Sequence, residues 1–217
     1  AMLYQLERWK SAALAYGALA GLPAHPRGQR AASPKERAVA LRRAVLCWQR
    51  LHPGRKPPRP AGKPRAIAHR RPMFAAFDGF VAAQKGKRDA AAVLYRKARV
   101  LYEHDHLLAA VRVFGRVVKR FPQHPLAASS AQLLLEALRE RRKSAAVATW
   151  LRRLRRGAVA KHHPSLAKLL GKVSLRRAFR RGQEASAAKR WRRCVEAFAR
   201  VAKRAQTGEA LRPMALH

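Results

Sequence analysis

The sequence predicts an all-α fold, an α-solenoid of antiparallel helix pairs. The first observation is the stretch between Asp89 and Pro125, where apolar residues recur at helical spacing in two blocks separated by a short polar run. The second observation is that similar blocks recur along the rest of the chain. A single pair of helices this short cannot bury its own apolar faces, so it needs copies of itself on either side.

The second block of this stretch serves as the template for the recurrence. Its apolar stripe consists of Leu107, Ala110, Val111, Phe114, Val117, Val118 and Phe121. A shift of 84 residues carries the stripe onto Trp191, Cys194, Val195, Phe198, Val201, Ala202 and Ala205. Each copy has a small residue followed four positions later by an aromatic one, in the pairs Ala12/Tyr16, Ala76/Phe80, Ala110/Phe114, Ala146/Trp150 and Cys194/Phe198. We expect these stripes to be buried.

The central stretch resembles the tetratricopeptide repeat, a helix-turn-helix unit of about 34 residues. The residues at the spacing of that family are Leu94, Ala98, Leu101, Ala110, Phe114 and Pro122. The other units lack the terminal proline or carry insertions. The order of residues also resembles the tetratricopeptide-repeat scaffolds of bacterial cell envelopes. The resemblance implies a scaffold that binds another protein and performs no catalysis.

The helical pattern divides the chain into four segments. They are N-terminal degenerate repeat helices at 1–51, a proline-rich basic linker inserted within a repeat at 52–71, central helix pairs at 72–160, and a C-terminal helix pair with a tail at 161–217. Prolines at positions 53, 57, 58, 60 and 64 exclude a helix over most of the linker. Its basic residues allow two interpretations, an arm that lies along a polyanion or a solvated loop.

Charge is the main clue to function. The chain has 49 Lys and Arg against 11 Asp and Glu, which gives a formal net charge of +38. A field of this sign attracts acidic protein surfaces, nucleic acid and anionic lipid head groups. The chain also lacks asparagine and has a single isoleucine, Ile67, a bias typical of GC-rich coding sequences. Part of the charge is therefore open to a second interpretation, in which it reflects codon supply.

The basic residues lie on the outward faces of the predicted helices and in the linker, and acidic residues at compensating positions are mostly missing. The residues predicted to bind a polyanion or an acidic partner are Arg55, Lys56, Arg59, Lys63, Arg65, Arg70, Arg71, Arg112, Arg116, Lys119, Arg152, Arg153, Arg155, Arg156, Arg192 and Arg193. The aromatic residues fall on the apolar stripes, so stacking on nucleic-acid bases is not expected. Contacts to nucleic acid would be to phosphates and without sequence preference.

Catalytic and metal-binding patterns are not found. The sequence contains no HExxH, GxSxG or CxxC motif and no glycine-rich phosphate loop, and we expect no enzyme, cofactor or small-molecule substrate. The polar turn at 103–106 contains His104 and His106, two side chains of a type that binds metal ions. No third ligand stands at the spacing of a known metal-binding motif. We interpret Cys47 and Cys194 as small core residues.

These observations favour a non-catalytic interaction scaffold with a strongly basic surface, docking an acidic partner within a larger assembly. The alternative is a protein that binds the nucleic-acid phosphate backbone without regard to sequence. We expect no transmembrane segment and no signal peptide in this chain, which begins as a piece of a longer repeat array would. The compartment is left open between the bacterial cell envelope or periplasm and the cytoplasm.

Overall fold

A computed structural model describes residues 8–21, 33–52, 63–84 and 88–205. Within these residues 85% are helical and no strand occurs, which confirms the all-α class. The described helices are α1 (Trp9–Gly21), α2 (Pro34–Leu51), α3 (Arg70–Ala83), α4 (Arg88–Glu103), α5 (Leu107–Arg120), α6 (Pro125–Glu140), α7 (Ser144–Arg156), α8 (Ala158–His162), α9 (Pro164–Ala187) and α10 (Trp191–Ala205). No helix in these ranges is long and apolar enough to cross a membrane.

The chain forms two compact units, Ala1–Ser144 and Ala145–His217. All of α7 except Ser144 belongs to the second of these units. Arg155 of α7 donates a hydrogen bond from Nη1 to Ser174 Oγ of α9, at 3.4 Å. The two units are described separately below.

Unit 1 is held together by packing between consecutive helices. Each helix from α1 to α5 packs on the next one, and α1 also contacts α3 while α4 also contacts α6. The largest fully buried side chains of its core include Trp48, Phe77, Leu94, Phe114 and Leu134. The template stripe of α5 is thus buried as predicted, because α4 lies on one side of it and α6 on the other.

The start of α2 has the capping box that its sequence predicts. Ser33 Oγ accepts a hydrogen bond from the Glu36 backbone N–H at 3.2 Å, and Glu36 Oε2 accepts one from the Ser33 backbone N–H at 2.6 Å. Pro34 occupies the first turn, where its missing N–H costs nothing. Two backbone donors that helix formation leaves without partners are satisfied in this way.

The same backbone turn follows α4, α6 and α9. After α4, Asp105 adopts a left-handed conformation, its N–H donates to Tyr102 O at 3.0 Å, and the N–H of His106 donates to Leu101 O at 2.9 Å. This is the Schellman pattern, which closes the last carbonyls of a helix. The equivalent donor–acceptor pairs are Arg142–Arg139 and Lys143–Leu138 after α6, and Lys189–Ser186 and Arg190–Ala185 after α9. The same C-terminal cap thus recurs after three of the described helices.

A side-chain contact joins α4 to α6. The Tyr102 hydroxyl donates to Glu140 Oε1 at 3.2 Å. Burial raises the pKa of Tyr102 and that of Glu140.

Unit 2 buries a smaller core. Leu151 and Leu154 of α7, Leu166 and Leu170 of α9, and Val159 of the short helix α8 are its buried residues near the start of α9. Helix α9 runs without interruption through Gly171 and Gly182, and it begins at Pro164, a residue that fits the first turn of a helix. The five-residue helix α8 was not predicted.

Several details differ from the sequence-based expectations. Helix α3 begins at Arg70, so Arg70 and Arg71 belong to the helix and not to the linker. The stripe of α10 is not a buried face: Trp191 is 63% exposed and Val195 is 66% exposed. Cys47 is fully buried, whereas Cys194 is only partly covered. The stripe residues of α10 are exposed because, within the described residues, α10 packs extensively only on α9.

Shortening Phe114 to alanine tests the buried stripe of α5. Phe114 has no exposed surface, so Phe114→Ala should lower the free energy of unfolding by roughly 3–5 kcal/mol in urea titration. Leu108 lies on the same helix and is 48% exposed, so Leu108→Ala should cost less than about 1 kcal/mol. Equal effects of the two substitutions would contradict the assignment of the buried face.

Arg142 offers a test of the repeated turn. It has a φ of 51°, a conformation that glycine adopts without the strain imposed by a side chain. Arg142→Gly should raise the free energy of unfolding by about 0.5–1 kcal/mol. Arg139→Gly, at an exposed position inside α6, should lower it by about 1 kcal/mol. A destabilised Arg142→Gly variant would show that the turn is not left-handed.

Candidate anion-binding groove

Helix α7 has three arginines on its exposed surface and two leucines in the core of unit 2. Arg152, Arg155 and Arg156 are exposed and stand at the i, i+3 and i+4 spacing of neighbours on a helix surface. Leu151 and Leu154 are buried. The amphipathic sequence of α7 therefore fixes both the packing of the helix and the direction of its charge.

Helices α9 and α10 add four more cations. Arg177 and Arg181 are one turn apart on α9, and Arg200 and Lys203 are one turn apart on α10. Together with the three arginines of α7 they line a single groove in unit 2, with a volume of about 720 Å³. This groove brings together residues from three helices of one unit.

The rest of the groove is small and apolar. Its remaining lining residues are Ala148, Leu151, Ser174, Ala178 and Ala197. The lining thus has seven cationic side chains and neither a carboxylate nor an aromatic ring. Such a surface has the electrostatic character of an anion-binding site, with an apolar floor that suits aliphatic groups.

Arg177 is the least satisfied of these cations. Its Nε atom is buried and has no hydrogen-bond partner among the described residues. Burial lowers the pKa of its guanidinium, and the positive charges of Arg181 and Arg180 lower the pKa further, while Glu184 opposes them. A guanidinium remains protonated at neutral pH despite such shifts, so Arg177 presents a charge that is incompletely solvated. An anion in the groove would relieve this condition.

A second groove runs between α9 and α10 and has mixed charge. Its volume is about 440 Å³, and its lining includes Glu184 and Glu196 beside Arg181, Arg193 and Arg200. The Glu184 carboxylate pairs with Arg180 at 3.3 Å, and the Glu196 carboxylate approaches Arg192 at 3.9 Å. Because its own carboxylates compete for the cations, this groove is a weaker anion site than the first.

The structure brings together only some of the residues predicted to bind a partner. Arg152, Arg155 and Arg156 line the all-cationic groove. Arg153 points elsewhere and lies over the Trp150 ring at 4.9 Å, and Arg193 lines the mixed groove. The predicted residues that are exposed and outside both grooves are Lys63, Arg70, Arg71, Arg112, Arg116, Lys119 and Arg192. Arg55, Lys56 and Arg59 lie outside the described residues.

Four groove residues were missing from the sequence-based site: Arg177, Arg181, Arg200 and Lys203. Each belongs to a basic cluster that the sequence shows, but adjacent arginines on a helix point in different directions. The i, i+4 and i, i+3 pairs on α9 and α10 were the available signal. The sequence does not tell which of several such pairs faces α7.

Arg65 was predicted to bind a polyanion, but its side chain is engaged within the protein. Its Nε lies 3.3 Å from Asp105 Oδ2, and Asp105 is almost completely buried. Its guanidinium also donates to Glu103 O, its backbone N–H donates to His104 O at 2.9 Å, and its carbonyl lies 3.0 Å from His106 Nε2. Arg65 therefore fastens the end of the linker to the polar turn after α4.

This contact also assigns a role to the polar turn at 103–106, where a metal site had been considered. Asp105 serves as the ion-pair partner of Arg65, and His104 Nδ1 lies 2.9 Å from Val100 O. Among the described residues, no group of three or more His, Cys, Asp or Glu side chains is placed to hold a metal ion. The turn thus receives the linker through hydrogen bonds and one buried carboxylate.

Replacing Arg177 by methionine should separate stability from binding. Removing the buried, unsatisfied Nε should raise the free energy of unfolding by roughly 1 kcal/mol, measured by urea titration. Arg176→Met makes the same change of charge at a neighbouring exposed position and should alter it by less than about 0.5 kcal/mol. A clear loss of stability on Arg177→Met would mean that its guanidinium has a partner within the fold.

The comparisons with known proteins add no relative to these observations. No protein-family model, no curated protein and no solved structure matches the chain. The fold class rests on the helices themselves, and the candidate site rests on the cations that three of those helices bring to one groove.

Proposed function

We propose that the protein is a non-catalytic helical-repeat scaffold that docks an acidic segment of another protein. The observation that supports this most strongly is the groove of unit 2, where seven cationic side chains converge without a carboxylate among the lining residues. A surface kept free of compensating acids in this way leaves its charge available to a partner.

The lining of the groove favours an acidic peptide over other polyanions. Leu151, Ala148, Ala178 and Ala197 provide apolar contact between the cations, which suits a peptide that alternates carboxylates with aliphatic side chains. The arginine guanidinium pairs with carboxylates and phosphates alike through two parallel hydrogen bonds, so the preference for a peptide rests on the apolar contacts.

We further propose that the helix pairs form a tetratricopeptide-like solenoid. Consecutive helices pack on one another within unit 1, and α4 also contacts α6, as stacked helix pairs require. The Schellman turns after α4, α6 and α9 repeat one geometry at the end of the first helix of each predicted pair. This architecture is common among proteins that bind peptides on an extended surface.

Phosphate-backbone binding is the second candidate. The seven groove cations would also neutralise phosphates, and exposed arginines and lysines such as Arg112, Arg116 and Lys119 extend the basic surface in unit 1. The groove has no aromatic side chain on which a base could stack, so recognition would be independent of sequence.

Binding of a labelled acidic peptide to matched charge variants tests the proposal. The probe is a peptide of alternating Glu and Leu, followed by fluorescence anisotropy at 150 mM salt. The double variant Arg177→Glu/Arg200→Glu should weaken binding by about 1.5–3 kcal/mol or more, because it places two carboxylates inside the groove. The control Arg112→Glu/Arg116→Glu makes the same change in net charge on α5 and should have a much smaller effect.

Two results would count against the acidic-peptide proposal. Equal weakening by both double variants would mean that overall charge, and not the groove, determines binding. Tighter binding of random duplex DNA than of the peptide, with an affinity that falls log-linearly as salt rises, would favour the phosphate-backbone function. A thermal melting curve of each variant checks that it folds.

A further inference from the structure

Two helix pairs of this chain have equivalent structures, but equivalent apolar residues on their second helices differ in exposure. A shift of 84 residues relates α4–α5 to α9–α10. Tyr95 and Phe114 have ring centroids 5.9 Å apart, and their equivalents Phe179 and Phe198 have centroids 5.5 Å apart. The left-handed residue between the helices, Asp105 in one pair, is matched by Lys189 in the other, with φ values of 62° and 52°.

A small, buried residue also recurs on the first helix of each pair. Ala98 of α4 is fully buried, and its equivalent on α9 is Gly182. A Cβ atom at Gly182 would lie 2.8 Å from the Phe198 ring, so glycine is needed for that ring to pack against α9. The side of α10 that contains Phe198 therefore packs on α9, as the side of α5 that contains Phe114 packs on α4.

The outer faces of the two pairs show the difference. On α5, Leu107 is 3% exposed and Val111 is 7% exposed, and this helix packs on both α4 and α6. Their equivalents on α10, Trp191 and Val195, are 63% and 66% exposed. These two residues lie one turn apart on α10 and form a surface that we call the α10 face.

We propose that the α10 face is a docking site for an amphipathic helix of an acidic partner protein, lying where α6 lies on the equivalent pair. The equivalent helix pair of unit 1, with the same ring contact and turn, already packs against one further helix, α6. The proposal does not depend on the groove of unit 2, which has different lining residues.

The arginines beside Trp191 indicate that the partner's helix is acidic. Arg190, Arg192 and Arg193 are exposed and adjoin Trp191, and Arg192 is 95% exposed in its side chain. A helix whose apolar side covers Trp191 and whose flanks contain carboxylates would satisfy these cations. A second copy of this chain is a poor occupant, since each copy has a net charge of +38.

A single nucleic-acid base could also stack on Trp191, which the sequence had placed on a buried stripe. The neighbouring apolar residue is Val195, which offers a base no aromatic plane. A continuous aliphatic and aromatic surface matches a helix with apolar residues at i, i+3, i+4 and i+7. The helix is therefore the occupant that the face favours.

The probe is a synthetic peptide with leucine at those helical positions and glutamate at most others, labelled for anisotropy. Binding to the whole chain should move the emission of Trp191 to shorter wavelength, seen as the difference between the natural chain and Trp191→Phe. A peptide of the same composition in scrambled order should bind at least about tenfold more weakly, because it cannot place its leucines on one side.

Matched variants locate the site. Val195→Asp should weaken binding about tenfold or more, whereas Val39→Asp introduces the same charge at a residue of α2 that is 51% exposed and should change the Kd by less than about twofold. The groove variant Arg177→Glu/Arg200→Glu should keep the Trp191 emission shift. This last result separates failure of the groove proposal from failure of the present one.

Four results would overturn the proposal. One is equal binding by Val195→Asp and the natural chain. Another is a Trp191 that acrylamide cannot quench in the free chain, which would mean that the chain's own residues cover the face. The third is a Trp191 shift that follows protein concentration alone and coincides with a dimer in sedimentation. The last is an oligonucleotide that produces the emission shift more strongly than the peptide does.

Discussion

A pair of short amphipathic helices cannot bury all of its apolar surface by itself, so each pair needs a further helix against it. In unit 1 this requirement is met for α5, which packs on both α4 and α6 and whose Phe114 has no exposed surface. The neighbour-to-neighbour packing of unit 1 follows from this requirement. In the part of the chain that the structure describes, one side of α10 stays exposed.

Charge is distributed so that it does not interfere with this packing. The basic residues of α7 and α9 occupy the sides of the helices that the apolar core leaves free, and Arg177 is the exception whose Nε is buried. One cation in the linker, Arg65, is used internally and pairs with the buried carboxylate of Asp105. The net charge of the chain is therefore larger than the positive charge that its surface offers to a ligand, because some basic residues pair with carboxylates within the fold.

The helices were predictable from the sequence, and the site was predictable only in part. Amphipathic spacing predicts the template stripe, and the Ser-x-x-Glu pattern at Ser33 predicts the capping box, since both depend on residues close in the chain. The groove depends on which sides of α7, α9 and α10 face one another, and no local pattern contains that. For the same reason Trp191 was expected inside: its spacing matches Leu107, but burial requires a covering helix that the spacing does not supply.

The groove without acids has a thermodynamic consequence for unit 2. Seven like charges at close range repel one another in the folded chain, and dissolved salt screens that repulsion. The same ions compete with any acidic ligand for the cations. Rising ionic strength should therefore stabilise the fold of unit 2 without ligand and weaken the binding of an anion in its groove. A bound anionic ligand would stabilise the fold by neutralising the same charges that salt screens.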